Sequence, residues 1–107
     1  MFVRNVIIKL KPNTAAEFGR LVENNCLPLL RQQAGFRDEI SFVAPERSEA
    51  LAISFWETKE NCEEYERTAY QEILRIIAAV VEETPKVETL VLATSTLHKL
   101  AAKARAI

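Results

Sequence analysis

The stretch from Ala50 to Tyr65, ALAISFWETKENCEEY, constrains the fold more than any other part of the chain. Ala50 to Trp56 is apolar at nearly every position, Thr58 stands where a helix N-cap would, and a Glu-rich segment with helical spacing follows. It reads as a strand that turns through Trp56-Glu57-Thr58 into a helix. Gln33-Ala-Gly-Phe36 makes the reverse change, with Gly35 placed as a C′ residue that stops a helix before a strand. The two junctions set the order of elements for most of the chain.

The flanking segments complete that order. From Phe2 to Lys11 the sequence alternates, with Phe2, Arg4, Val6, Ile8 and Leu10 on one face and Val3, Asn5, Ile7 and Lys9 on the other. Pro12 ends this strand. Asn13 or Thr14 is placed to cap the next helix, with Glu17 completing a capping box if Thr14 is the cap. Phe18, Leu21, Val22, Leu29 and Leu30 form its apolar stripe, and Pro28 inside it predicts a kink or break near Asn24 and Asn25. A second strand, Phe36 to Val43, sets Phe36, Asp38, Ile40 and Phe42 against Arg37, Glu39, Ser41 and Val43. A polar turn over 44–48 makes it a hairpin with the strand from Ala50 to Trp56. The second helix carries Cys62, Tyr65, Ala69, Ile73, Ile76, Ile77 and Val80 at spacings of mostly three and four and runs to Pro85. Val87 to Thr94 is the fourth strand.

Strand, helix, strand, strand, helix, strand is the ferredoxin-like βαββαβ order, an α+β fold with both helices on one face of a four-stranded antiparallel sheet. It occupies one domain, residues 1–95, followed by an Ala- and Lys-rich tail, 96–107, compatible with a short helix. The face away from the helices carries Val3 and Ile7, and strands three and four are apolar on both parities. An apolar face of that size predicts a covering partner, and the economical one is a second copy: a homodimer packed sheet to sheet, with a cavity between the sheets.

Composition narrows function by exclusion. The charged residues nearly balance, 14 basic against 15 acidic for a net charge of −1, which argues against general nucleic-acid binding. No apolar run approaches the roughly 20 residues of a membrane span, and the N-terminus has no signal-peptide pattern, so a cytoplasmic location is expected. Cys26 and Cys62 lie in helical patterns and read as buried small hydrophobes. No metal-ligand cluster, nucleophile–base pair or glycine-rich phosphate loop is visible.

Three segments carry a family resemblance: Leu29-Leu-Arg-Gln-Gln-Ala-Gly-Phe36, Ser54-Phe-Trp-Glu57 before the Glu-rich helix with Tyr65, and Lys86-Val-Glu-Thr-Leu-Val-Leu92. Over about residues 2 to 95 the chain resembles the antibiotic biosynthesis monooxygenase family of the dimeric α/β-barrel superfamily. That family includes cofactor-free oxygenases of aromatic polyketides, quinol oxygenases, haem-degrading enzymes and many proteins of unknown role. The haem-degrading branch uses a first-strand Asn, a second-helix Trp and a His that ligates iron. Asn5 matches in kind, but the Trp position falls near Tyr65 and the His position near Arg75. The sole histidine, His98, lies in the tail. The resemblance therefore argues against haem degradation. The quinone-acting branch tends to use a His within the barrel, and none stands there.

What remains resembles the cofactor-free monooxygenases, which hold a small aromatic or quinol-like substrate with Asn, Trp, Tyr and Arg and need neither cofactor nor metal. In that reading the deprotonated substrate reduces dioxygen itself, and the protein supplies deprotonation, orientation and a dry pocket. The catalytic candidates are Asn5, Trp56 and Tyr65. Each has a plainer alternative. Asn5 lines a cavity or satisfies an edge backbone group; Trp56 walls the cavity or is a core aromatic; Tyr65 contacts ligand or packs in the core with its hydroxyl at the rim. Arg4 is expected to pair with a carboxylate at an edge or at the dimer seam, and Arg37, Asp38 and Glu39 to form a solvated edge. The other class of function is a non-catalytic ligand-binding or stress-associated dimer of the same fold, favoured by the few polar groups available: Asn5, Ser41, Ser54, Thr89 and Arg37.

Overall fold

A computed structural model describes residues 1–97. His98 and nearly all of the tail from 96 onward lie outside the described residues. The elements are β1 (Phe2–Lys9), α1 (Ala15–Leu21), α2 (Leu27–Arg31), β2 (Phe36–Ala44), β3 (Glu49–Trp56), α3 (Lys59–Arg67), α4 (Tyr70–Ile77) and β4 (Lys86–Val91). The strands form one antiparallel sheet in the order β2-β3-β1-β4. The expected α+β, ferredoxin-like architecture is present. Among the described residues, no helix is long and apolar enough to cross a membrane.

The main core lies between the helices and the sheet. β1 contributes Val6 and Ile8, β3 contributes Ala50 and Trp56, and the helices contribute Phe18, Leu30, Cys62, Tyr65, Ile73 and Ile77. A smaller cluster of Met1, Val3 and Phe55 sits on the other face, with Ile40, Ile53 and Leu92 packed against it. The alternation of β1 is therefore realised, its even-numbered residues facing the helices. Both cysteines are buried and free.

Several local expectations are corrected. Between α1 and α2, residues Val22–Cys26 form a π-helical turn, with the Leu27 N–H bonded five residues back to the Val22 carbonyl. Pro28 lacks the N–H that would continue an i→i−4 ladder, and the α-helix is interrupted before it at the expected Asn24 and Asn25, by a widened turn. Thr14 takes the N-cap position without capping: its hydroxyl donates to the Lys11 carbonyl at 2.6 Å, and Glu17 pairs with Arg20, so no capping box forms. Thr58 does cap, its Oγ1 accepting from the Asn61 N–H at 3.1 Å.

The second helix is split at Thr68, whose hydroxyl donates to the Glu64 carbonyl at 2.7 Å and so competes with helix continuation. The split leaves Cys62, Tyr65, Ile73, Ile77 and Val80 buried as expected and adds Tyr70, which the sequence pattern omitted. It also ends at Ile77 and a 3₁₀ turn over Ala78–Val80, well before Pro85. Gly35 lies four residues beyond the end of α2, at φ 78 in the turn into β2, so it is a turn residue and not the C′ of that helix.

The most consequential correction is in β2. A bulge between Phe36 and Asp38 changes the phase of the strand. Phe36 pairs with Trp56 and packs on the helix side, while Asp38 pairs with Phe55 on the other face. Phe36 and Asp38 do not share a face, and Glu39 is turned toward the helices.

Candidate functional site

On the helix side of the sheet the polar residues are few, and the register lines them up. Glu39 on β2 pairs with Ser54 on β3, and Ser54 pairs with Arg4 on β1. With strands about 4.8 Å apart, the two charged residues sit about 10 Å from each other at their Cα atoms, with a serine between. Above this row is a cavity of about 50 Å³, roofed by Phe18, Val22, Leu30, Ile73 and Ile77 and floored by Val6 and Ile8 beside the row. Tyr65, Tyr70 and Cys26 complete its wall. The cavity lies within one chain and on the opposite side of the sheet from the one expected between two copies.

Arg4 is 1 % exposed. It is on a central strand, with the parity of Val6 and Ile8, so it has no edge or seam to reach. Its guanidinium carbon lies 3.9 Å from the centre of the Tyr70 ring and 5.4 Å from that of Tyr65. The carboxylate nearest to it is Glu66 of α3, half exposed and 3.7 Å from Nη2, beyond hydrogen-bond length. Nε and Nη2 have no hydrogen-bond partner.

Glu39 is the other charged member, and it is partly buried rather than part of a solvated edge. Burial raises its pKa from the ordinary carboxylate value, against a 2.5 Å hydrogen bond from Ser41 that lowers it. Arg37, by contrast, is exposed and pairs with Glu57 at 2.5 Å. Burial, with a contribution from Glu39, pushes the Cys26 thiol up to about 11, so it stays a thiol at neutral pH. Burial likewise raises the Tyr65 phenol despite the opposing charge of Arg4, leaving it a neutral hydrogen-bond donor.

The three candidates read from the sequence separate. Tyr65 lines the cavity. Trp56 is fully buried behind it, between Phe36 and Tyr65, with its indole N–H donated to Ser54 Oγ at 2.9 Å. Asn5 faces the other side of the sheet, where its amide donates to Glu88 at 3.2 Å and its Oδ1 is buried without a partner. Residues that sequence reasoning did not place here are Arg4, Glu39 and Tyr70. The signal for Arg4 was its parity within β1; nothing short of the bulge revealed Glu39.

The site pairs a buried cation with a carboxyl group of raised pKa, in a pocket otherwise apolar. That combination can stabilise an oxyanion at one end and exchange a proton at the other.

No family model matches the sequence, and no curated protein matches it by sequence. Solved structures do. SnoaB, a cofactor-independent oxygenase from Streptomyces nogalater, superposes with a TM-score of 0.72 at 11% identity over 90% of this chain and 96% of that one. A proposed antibiotic biosynthesis monooxygenase from Bordetella bronchiseptica gives 0.69 at 19% over 83% and 94%. The fold is that of the antibiotic biosynthesis monooxygenases. The monooxygenase from the ActVA-Orf6 gene of Streptomyces coelicolor, solved in complex with nanaomycin D, gives 0.66 at 18% over 83% and 84%. The antibiotic biosynthesis monooxygenase fold thus spans nearly the whole length of these proteins and most of this chain.

Proposed function

We propose that the protein is a cofactor-independent monooxygenase acting on a small aromatic, quinol-like metabolite in the cavity above Glu39, Ser54 and Arg4. The observation that carries the reading is that polar row: a carboxyl group held at raised pKa and a buried guanidinium face one apolar space. Glu39 takes the acidic proton of the substrate, and Arg4 holds the resulting enolate or phenolate oxygen. The carbanion then reduces dioxygen. For an anthrone-type substrate the ring CH₂ becomes C=O, one oxygen atom enters the product, and the other leaves as water with the two hydrogens. Tyr65 serves as a neutral wall and donor, with Trp56 holding it in place; Asn5 stands on the opposite face of the sheet, outside this chemistry.

A second reading is favoured by the cavity's size. At about 50 Å³ it is well below the roughly 300 Å³ at which typical ligand pockets begin, so a polycyclic substrate requires the helices to move aside. A small-ligand binder without catalysis, as in a stress-associated protein, has no such requirement. We also infer a homodimer through the outer face of the sheet, where Phe42 and Leu90 are exposed beside half-buried Ile7, Leu51 and Ile53.

The test is oxygen uptake with a panel of anthrone- and quinol-type substrates. Uptake by the wild type that falls about 10²–10⁴-fold in Glu39→Gln supports a proton-transfer role. No uptake across the panel moves the assignment to the binding protein.

A further inference from the structure

The cavity above the polar row has a volume of about 50 Å³. That is about a third of the roughly 150 Å³ at which an apolar cavity in a protein core holds benzene. It leaves no room for an aromatic ring in the resting chain, yet it exceeds what close packing leaves between core side chains. By volume it would take a few waters, but a buried water needs about two to four polar partners. The roof offers none: Phe18, Val22, Leu30, Ile73 and Ile77 are apolar and buried. The polar groups of the floor are engaged with their neighbours. Ser54 Oγ accepts from Trp56 at 2.9 Å, Glu39 accepts from Ser41 at 2.5 Å, and Arg4 lies against Tyr70 with Nη2 paired to Glu66 at 3.7 Å. Water that enters finds partners only along the row, so the roofed part of the cavity is dry. Dry apolar cavities take apolar guests, xenon among them. All the lining residues except Glu39 and Ala52 are buried, so the way in lies beside that pair.

We propose that the resting cavity is a dioxygen site. Its size admits a single large atom or a diatomic molecule and excludes a ring. Its apolar roof suits a molecule with no dipole and no hydrogen bonds to lose on leaving water. Among such molecules dioxygen is the one that the proposed monooxygenase consumes. The inference rests on that reading for the identity of the gas and not for its binding. Dioxygen fits the chain as it stands, whereas an aromatic substrate requires the helices to move aside, so the two reactants make separate demands on one space. Val22 keeps the space open. It stands on the π-helical turn between α1 and α2, between Phe18 and Cys26, and lines the cavity with a short side chain where a longer one would occupy it.

The probes are xenon and dioxygen, applied under pressure to the 107-residue chain in solution while its methyl groups are followed by NMR. Xenon is expected to shift the methyls of Val6, Ile8, Val22, Leu30, Ile73 and Ile77 along a saturating curve. The exposed methyls of Leu90 and Val91 report general contact with dissolved gas, and their response is expected to be small and linear in pressure. Dioxygen is paramagnetic and is expected to broaden the cavity methyls several times more than the exposed ones, with xenon relieving the broadening by competition. Val22→Met places a longer, adaptable side chain in the space and is expected to lose both effects. The proposal is overturned if the cavity methyls respond no more than Leu90 and Val91, or if xenon binds there and the broadening by dioxygen is not enriched. It is also overturned if Val22→Met, with the rest of its spectrum unchanged, keeps the wild-type response. The wild-type measurements need no variant, so a poorly folding Val22→Met does not remove the test. Oxygen uptake on the anthrone and quinol panel is scored separately. Uptake without gas binding overturns the site and leaves the monooxygenase reading intact; gas binding without uptake keeps the site and removes that reading.

Discussion

The indole of Trp56 and the ring of Tyr65 are stacked, their centres 4.7 Å apart and their planes 27° from parallel. The pair joins the last residue of β3 to the buried face of α3, and through Tyr65 it reaches the cavity wall. Trp56 also donates to Ser54, which lies in the polar row. Trp56→Phe removes that hydrogen bond and leaves a void where the larger ring was. We expect a loss of about 1–3 kcal/mol, from the missing hydrogen bond and the cavity together. For a domain of this size each kcal/mol lowers the melting temperature by roughly 4–8 °C. Thermal denaturation followed by circular dichroism measures it. An unchanged melting temperature would refute a packing role for Trp56.

Glu39 gives the protein a signed dependence on pH. Its pKa is raised in the fold, so the folded state binds this proton more tightly than the unfolded chain does. Between the ordinary carboxylate value and the raised one, the folded state holds more protons, and stability falls as pH rises. The contribution is fully present below the unfolded pKa and lost as pH climbs through the folded one. Glu39→Gln cannot ionise and removes that slope. On raising pH from about 4.5 to 7.5, the urea midpoint should therefore fall further, or rise less, in the wild type than in the variant. Equal differences in the two proteins would show that Glu39 is not shifted.

The architecture was legible because it rests on parity and on punctuation. Alternation in Phe2–Leu10, the Thr58 cap and the Trp56 corner are local signals, and each was realised. The site was less legible, since it rests on phase. One extra residue at the β2 bulge turns Glu39 from a rim charge into a cavity acid, and no residue type in Phe36-Arg-Asp-Glu39 announces a bulge. Tyr70, beside the Thr68 break, was likewise missed. Arg4 was visible by parity, but a charged residue in a strand invites the assumption of an edge, and the strand order that makes β1 central is a property of the whole fold.

Gly35 is held by two independent constraints. Its φ is 78, a conformation that side chains with a Cβ rarely adopt, and a Cβ there would lie 2.2 Å from Asn61 Oδ1. Asn61 itself is engaged at the start of α3, accepting from the Thr58 hydroxyl at 2.8 Å. Gly35→Ala therefore meets both strain and collision. We expect destabilisation of about 1–3 kcal/mol by urea denaturation. The double variant with Asn61→Gly removes all the colliding atoms, Oδ1, Cγ and Cβ, and keeps the strain, so it should be more stable than the sum of the two single changes predicts. Additive single effects would place the whole cost in the backbone.

The outer face of the sheet is where the proposed dimer is most exposed to refutation. Phe42 is 55 % exposed and Leu90 49 %, on β2 and β4 at opposite edges of that face. Between them Asn5 is held by Glu88, with its Oδ1 buried and unpaired, a polar group placed to meet a donor from a facing surface. Burial of that face against a second copy would remove two large side chains from water, each worth about 1.5–3 kcal/mol on full burial. Phe42→Glu sets a charge into it and should separate the copies while leaving each fold intact. Light scattering is expected to give twice the 12.1 kDa chain mass for the wild type and the single-chain mass for the variant, with unchanged circular dichroism. A wild type that is already monomeric at micromolar concentration would refute the dimer.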